Sequence, residues 1–238
     1  MYNLKYGRNI AALLAMALLV TGIRACAQKT PFRFGIDAGA NYSYLSFGGP
    51  RPATSRNYKI GPSLSGTATY TISKHFFLQS GLGIVSKGTD RRGKAPMGFA
   101  SAILPGKEVQ LTSQQWYAEL PVYAGYKITL SSRAKLLITA GPYLGYGFAG
   151  KTKLTGDILF GDMIDNTTYE TQTFGDPGLK RLDVGLGSGI GIDLGETIIG
   201  LHYEYGLRNI RSEKESYIPF YNSSYKNRSL QVSVDFKL

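Results

Sequence analysis

The segment from Leu230 to Leu238 constrains this chain more than any other. Leu230, Val232, Val234, Phe236 and Leu238 alternate without a break with Gln231, Ser233, Asp235 and Lys237. A period of two is the signature of a strand with one apolar and one polar face. A soluble protein seldom leaves so apolar a terminal strand uncovered. A closed barrel pairs it with the first strand and so removes both edges.

The same alternation recurs upstream. A first strand is expected from about Phe32 to Tyr44, with Phe32, Phe34, Ile36, Ala38, Ala40, Tyr42 and Tyr44 on one face. A second runs from about Ile60 to Ile72, and a third carries Phe76, Leu78, Leu82 and Ile84 on its apolar side. The fourth, about Trp116 to Leu130, sets Leu120, Val122, Ala124 and Tyr126 against Glu119, Pro121, Tyr123 and Lys127. The fifth is centred on Leu136 to Phe148, the sixth on Leu182 to Leu194 and the seventh on Ile199 to Arg208, with Leu230 to Leu238 as the eighth. Connections after the second, fourth and sixth strands are two or three residues long, whereas those after the first, third, fifth and seventh cover roughly residues 45–59, 86–115, 149–180 and 209–228. Outer-membrane barrels have short periplasmic turns and long outer loops. The expected fold is therefore all-β: an eight-stranded, up-and-down antiparallel transmembrane barrel with both termini in the periplasm.

Alternation alone does not orient the faces, because a lipocalin-like barrel is the same pattern turned inside out. Composition decides. The polar face is mostly Gly, Ser and Thr, with a few charges of both signs, rather than the Lys and Glu of a wetted sheet. That suits a narrow interior. The apolar face is almost free of charge and, in water, would be a far larger patch than soluble monomers expose. Its aromatics sort into two bands, Phe32, Phe34, Tyr70, Phe76, Tyr126 and Phe236 near the turns and Tyr42, Tyr44, Trp116, Tyr146, Phe148, Tyr203 and Tyr205 near the loops, as interfacial girdles require. Gly185, Gly187, Gly189 and Gly191 leave the inner side of the sixth strand bare, a gap that Tyr143, Tyr117 and Tyr123 can cover.

Residues 1–27 read as a signal peptide and 28–238 as the barrel domain. Lys5 and Arg8 precede an apolar run from Ile10 to Val20, and Ala25-Cys26-Ala27 forms a small-x-small cleavage site. A competing reading makes Cys26 a lipidated N-terminus, although Arg24 stands where a lipobox has a small residue. Cys26 is the only cysteine, so cleavage after Ala27 excludes disulfides and cysteine-based chemistry. The formal charge is +11, and the chain stays strongly basic without Lys5, Arg8 and Arg24. For an exported chain the counter-charge is lipid rather than nucleic acid.

The segments Trp116–Ile128 (WYAELPVYAGYKI), Ala140–Phe148 (AGPYLGYGF) and Asp183–Asp193 (DVGLGSGIGID), with Tyr203–Ile210 (YEYGLRNI) and the final strand, resemble the PorT-like outer-membrane β-barrel proteins of Bacteroidota. The resemblance is good over strands four to eight and loose over one to three. It implies an eight-stranded barrel behind a signal peptide, located in the cell outer membrane. It does not imply a single activity; some members of the family are linked to protein secretion or gliding machinery.

Inward-facing Arg33, Asp37, Glu119, Lys127, Asp183, His202, Glu204, Arg208 and Asp235 form a candidate polar network. Eight strands leave an interior just large enough for side chains, so the expectation is a filled lumen, with a small transport pore as the alternative. A lipid-modifying enzyme would need a nucleophile near His75 or His202, the only histidines, and no such motif flanks them. Neither a nucleotide loop nor a metal-ligand spacing is present, so no catalytic residue and no cofactor is expected. Asp157, Asp162, Asp165, Glu170 and Asp176 cluster in the third long loop without EF-hand spacing and read as solvated charge rather than a Ca²⁺ site. Basic residues in the second and fourth loops (Lys87, Arg91, Arg92, Lys94 and Lys107, then Arg211, Lys214, Lys226 and Arg228) suggest contact with lipopolysaccharide phosphates, foremost through Arg91, Arg92 and Lys94. Expected partners are thus outer-membrane lipid and lipopolysaccharide, the barrel-assembly machinery during insertion and an envelope protein yet to be identified, with no nucleic acid. The function expected is a non-enzymatic structural, interaction or assembly role.

Overall fold

The computed structural model describes residues 31–47, 54–94, 108–160, 163–175, 178–212 and 224–238. The leader expected at 1–27 lies outside them. Ten strands are present: β1 (Phe32–Phe47), β2 (Thr54–Thr71), β3 (Phe76–Lys94), β4 (Glu108–Thr129), β5 (Lys135–Ala149), β6 (Lys151–Phe160), β7 (Met163–Gln172), β8 (Leu182–Asp193), β9 (Thr197–Gly206) and β10 (Tyr225–Lys237). Eight of them, all but β6 and β7, close into an antiparallel barrel in the order β1-β2-β3-β4-β5-β8-β9-β10. The final strand completes the ring by pairing with the first, from Gly35↔Lys237 to Phe47↔Tyr225. Every neighbour in the ring is antiparallel, so no barrel strand presents an open edge along the paired stretch.

The faces lie as the composition requires. Leu120, Val122 and Ile190 are 42–53% exposed on the outer wall, and Phe34, Phe76, Tyr146 and Phe236 stand on the same side. Asp37, Glu119, Asp183 and Asp235 are buried on the inside. An outer wall this apolar is stable only where acyl chains cover it. Among the described residues no helix is long and apolar enough to cross a membrane. β9, at ten residues, matches the roughly 9–11 that a tilted strand needs to span the hydrocarbon.

The structure corrects the expected long loops. β3 continues to Lys94 and β4 begins at Glu108, so Arg91, Arg92 and Lys94 sit on a strand of a protruding hairpin rather than in an irregular loop. Residues 151–160 and 163–172 pair as β6 and β7, and β6 docks along the outer extension of β4 from Val109↔Gly156 to Ser113↔Thr152. Backbone pairing simply continues past the bilayer. Beyond it the inner face stays buried but is mostly polar (Thr89, Ser113, Gln115 and Thr152), the outer face is polar too, and a search for apolar–polar alternation stops too early.

Candidate functional site

The lumen is built in three layers. At the periplasmic end Phe77, Leu137 and Ile198 form an apolar cluster. At the outer mouth Leu45, Val85, Tyr117, Phe174, Leu179, Ile210 and Tyr225 form a second one. Phe174, Leu179 and Ile210 come from the segments that follow β7 and β9. Backbone bonds from Leu179 N–H to the Thr173 carbonyl (2.7 Å), Lys180 N–H to Ile210 (2.7 Å) and Ile210 N–H to Tyr225 (2.9 Å) tie them across the opening.

Between the two apolar layers lies the polar one. Lys87, fully buried, donates from Nζ to Glu119 Oε1 and Glu204 Oε2, each at 2.7 Å. Its ammonium also faces the rings of Tyr143 (4.6 Å) and Tyr117 (5.5 Å). Ser229 Oγ donates to Glu204 (2.9 Å). Asp183 accepts from Asn227 Nδ2 (2.9 Å) and from Tyr143 Oη (3.3 Å). Nearer the periplasm Gln231 donates to Asp37 (3.2 Å) and Thr67 to Asp235 (2.9 Å). Glu119 and Glu204 are paired with a cation, whereas Asp183, Asp37 and Asp235 are held by hydrogen bonds from neutral groups. Two cavities of about 90 and about 30 Å³ remain beneath the Lys87 clamp, both touching Asp37, Gln79 and His202. They are polar and roomy enough for water, but not for a large solute.

The residues singled out in the sequence fall into three groups. Asp37, Glu119, Asp183, Glu204 and Asp235 line the interior together with His202, whose ring stacks on Tyr123 at 6.4 Å. Lys127 stays half-buried at the periplasmic end, over the Phe77 ring at 5.0 Å and bonded to Thr71 (3.4 Å); Arg33 is half-buried at the same end, near the start of β1. Arg208 is a correction. β9 ends at Gly206, Arg208 N–H bonds back to the Val184 carbonyl, and the residue is exposed outside the lumen.

Three residues expected in loops are also corrected, Lys226 among them, since it lies within β10. Lys87 is the centre of the lumen network, and Arg228 lies within β10. Lys87 was hidden because inward Val85 interrupts the polar face before it. The periplasmic cluster did leave a signal. Phe76-Phe77, Leu136-Leu137 and Ile198-Ile199 are apolar pairs placed one to three residues after each short turn. In a strand such a pair must send one residue out and one in. Of the basic triad, Arg92 is exposed; the side chains of Arg91 and Lys94 lie outside the described set.

The inner glycines make room for aromatic rings. A Cβ on Gly185 would stand 2.5 Å from Tyr143, on Gly187 2.3 Å from Tyr123, on Gly125 2.1 Å from Phe77 and on Gly147 2.2 Å from Phe174. Tyrosine cover of the sixth barrel strand is thus real at Gly185 and Gly187, while His202 and Ile198 stand over Gly189 and Gly191, Tyr117 lies against Gly145 of β5, and ring cover extends to both apolar layers.

In the outer hairpin Glu170 takes Lys151 (2.5 Å) and Lys153 (2.9 Å), and these two ammonium groups bring its carboxyl down from 4.5 to about 2. The side chains of Asp157, Asp162, Asp165 and Asp176 lie outside the described set. Because the folded value is depressed, this pairing is intact above about pH 4.5 and is lost as pH falls through about 2. Hydrogen exchange, corrected for intrinsic rates, should loosen the β6–β7 hairpin relative to the barrel strands across that window and leave it unchanged from about pH 8 to 5. The effect is small, since the pair is exposed.

A closed eight-stranded barrel with an apolar outer wall, two aromatic girdles and a polar, hydrogen-bonded lumen is a transmembrane β-barrel of the outer-membrane class. The chain belongs to the outer membrane protein beta-barrel domain family, whose model matches residues 26–212. No curated protein matches it. Among solved structures it is similar to Neisserial surface protein A (16% identity, 88% of this chain and 97% of that one, TM-score 0.40). It is also similar to Ail, the attachment invasion locus protein of Yersinia pestis, crystallised with the heparin analogue sucrose octasulfate (13% identity, 87% and 99%, TM-score 0.36). A third is OprG from Pseudomonas aeruginosa (13% identity, 87% and 94%, TM-score 0.32).

Proposed function

We propose that this outer-membrane barrel is a closed, non-enzymatic interaction protein that works through its outer hairpins and its rims rather than through its lumen. The observation that carries the reading is the Lys87 clamp: one ammonium joins carboxylates from β4 and β9 across the barrel, with an apolar layer on either side. Ions crossing would have to break that pairing in a low dielectric and dewet two constrictions. Against a lipid-modifying activity, His202 stacks on Tyr123 inside the barrel, and His75, at the first periplasmic turn, stacks on Tyr126 at 5.6 Å. Neither imidazole is presented with a nucleophile to the lipid.

The protruding β3–β4 and β6–β7 hairpins supply the contact area. The PorT-like affinity suggested by the sequence would make the partner a component of envelope assembly or protein secretion, reached after export on the leader at 1–27. Purified protein in planar bilayers should give no long-lived open channels. Stable conductance from the wild-type barrel would overturn the proposal and favour a transport pore. A cross-linked partner recovered from native outer membranes, lost when the β6–β7 hairpin is shortened, would support the interaction role.

A further inference from the structure

The periplasmic mouth of the barrel carries a ring of cations. Arg33 on β1 stands opposite buried Thr69, Lys127 on β4 opposite buried Leu137, and Lys135 on β5 opposite buried Asp193. Residues paired across a ladder share a face, so all three point into the mouth. Lys237 on β10 joins them by donating to Asp193 Oδ1 and to the Gly195 carbonyl. Lys127 is within electrostatic reach of Arg33, Lys135 and Lys237, and Asp193 is within reach of Arg33.

The ring is open to the periplasm. Arg33, Lys127 and Lys237 are half-buried and Lys135 is exposed. The turns on this side are tight, with Ile72 N–H bonded to the Phe76 carbonyl (3.0 Å), Leu130 to Ala134 (3.0 Å) and Leu194 to Thr197 (2.9 Å), and are too short to fold over the opening. Directly above the ring, Phe77, Leu137 and Ile198 close the lumen, so an anion that enters leaves by the same way.

The positive charge is not cancelled by the rim itself. Asp193 is shared between Lys237 and Lys135. Asp235 stands level with Ile198, its neighbour in the apolar layer, and accepts from Thr67, while Asp37 lies deeper and accepts from Gln231. Glu196 and the carboxylate of Leu238 are offset by Lys74 and Arg133 in the turns. The residues before Pro31, which adjoin this mouth, include no Asp or Glu, and the other undescribed residues belong to the opposite end of the barrel. Like charges held this close on rigid strands repel, and an incoming anion relieves that repulsion.

We propose that this ring docks an acidic segment of a periplasmic protein, whose carboxylates are taken by Arg33, Lys127 and Lys135. The inference rests on the interaction reading above and places one contact on the periplasmic side. A peptide reaches the ring end-on from the aqueous side. A phospholipid, whose chains lie against the outer wall, presents its headgroup outside the strands, whereas these cations point inside them. The arginine fork takes a carboxylate bidentately, and the two lysines act as point charges beside it.

The test titrates the full-length protein in detergent micelles with fluorescein-labelled hexaglutamate and hexaglutamine peptides and reads anisotropy. The wild type should bind hexaglutamate about tenfold tighter, the size expected of one charge-assisted contact, and the gap should narrow as salt rises. Arg33→Gln with Lys135→Gln should remove most of the preference. Lys151→Gln with Lys153→Gln, the same charge change on the outer hairpin, should leave it intact. A wild type without preference overturns the proposal, and so does an equal loss from the two pairs, which would report overall basicity alone. Inorganic phosphate that displaces the peptide at equal concentration would assign the ring to a free anion. Phosphatidylglycerol mixed into the micelles that displaces it, where phosphatidylcholine does not, would assign the ring to lipid; either result overturns the proposal. If the Arg33 and Lys135 pair fails to give the heat-modifiable gel mobility of a folded barrel, Lys135→Gln alone, at an exposed position, takes its place. Lost peptide binding in a barrel that stays closed in planar bilayers sinks this docking site and not the interaction reading, whereas stable conductance sinks that reading without the peptide.

Discussion

Lys87→Met is expected to destabilise the barrel by about 3–5 kcal/mol, the usual cost of stripping the partner from a buried charge. Two carboxylates, Glu119 and Glu204, would then face each other in the lumen with no cation between them. Ser229 still donates to Glu204, but Glu119 has no comparable substitute. Urea unfolding in lipid vesicles, followed by heat-modifiable mobility, measures the loss directly. The triple variant Lys87→Met, Glu119→Gln, Glu204→Gln should recover much of it, because removing every charge of a buried set is far less costly than removing one. A Lys87→Met barrel within about 1 kcal/mol of wild type would mean that hydration or protonation, not Lys87, relieves these acids.

The second large effect comes from two glycines of opposite sign. Gly125→Ala should cost about 1–3 kcal/mol, the range for overpacking a filled interior, because its methyl would sit 2.1 Å from the buried Phe77 ring. Phe77 is part of the periplasmic layer, so the same change should also raise ion leak in planar bilayers. Gly66→Ala on the outer wall meets nothing within 4 Å and should be neutral or stabilising by about 0.5–1 kcal/mol, since alanine loses less backbone freedom than glycine. If both substitutions behave alike, the ring-over-glycine packing is not what keeps the inner wall in shape.

The barrel was legible because lipid and lumen impose opposite chemistry on alternate residues. Strand number, short turns and sidedness follow from that one contrast, and so do the buried positions of Asp37, Glu119, Asp183, Glu204 and Asp235. Where the contrast weakens, legibility weakens with it. Val85 is an inward residue that looks lipid-facing, and beyond it the rule gave no reason to place Lys87 inside. Arg208 failed for the reverse reason: the alternation runs on for two residues after β9 has ended at Gly206. The β6–β7 hairpin escaped because its apolar residues fall in consecutive runs, Ile158–Phe160 and Met163–Ile164, rather than on alternate positions.

That hairpin has a practical corollary. Its hydrogen-bond ladder begins where β6 pairs with β4 and continues through ten-residue strands to the Phe160↔Met163 pair. A foreign peptide spliced between Phe160 and Met163 would be carried at the end of a paired two-stranded ladder that belongs to none of the eight ring strands.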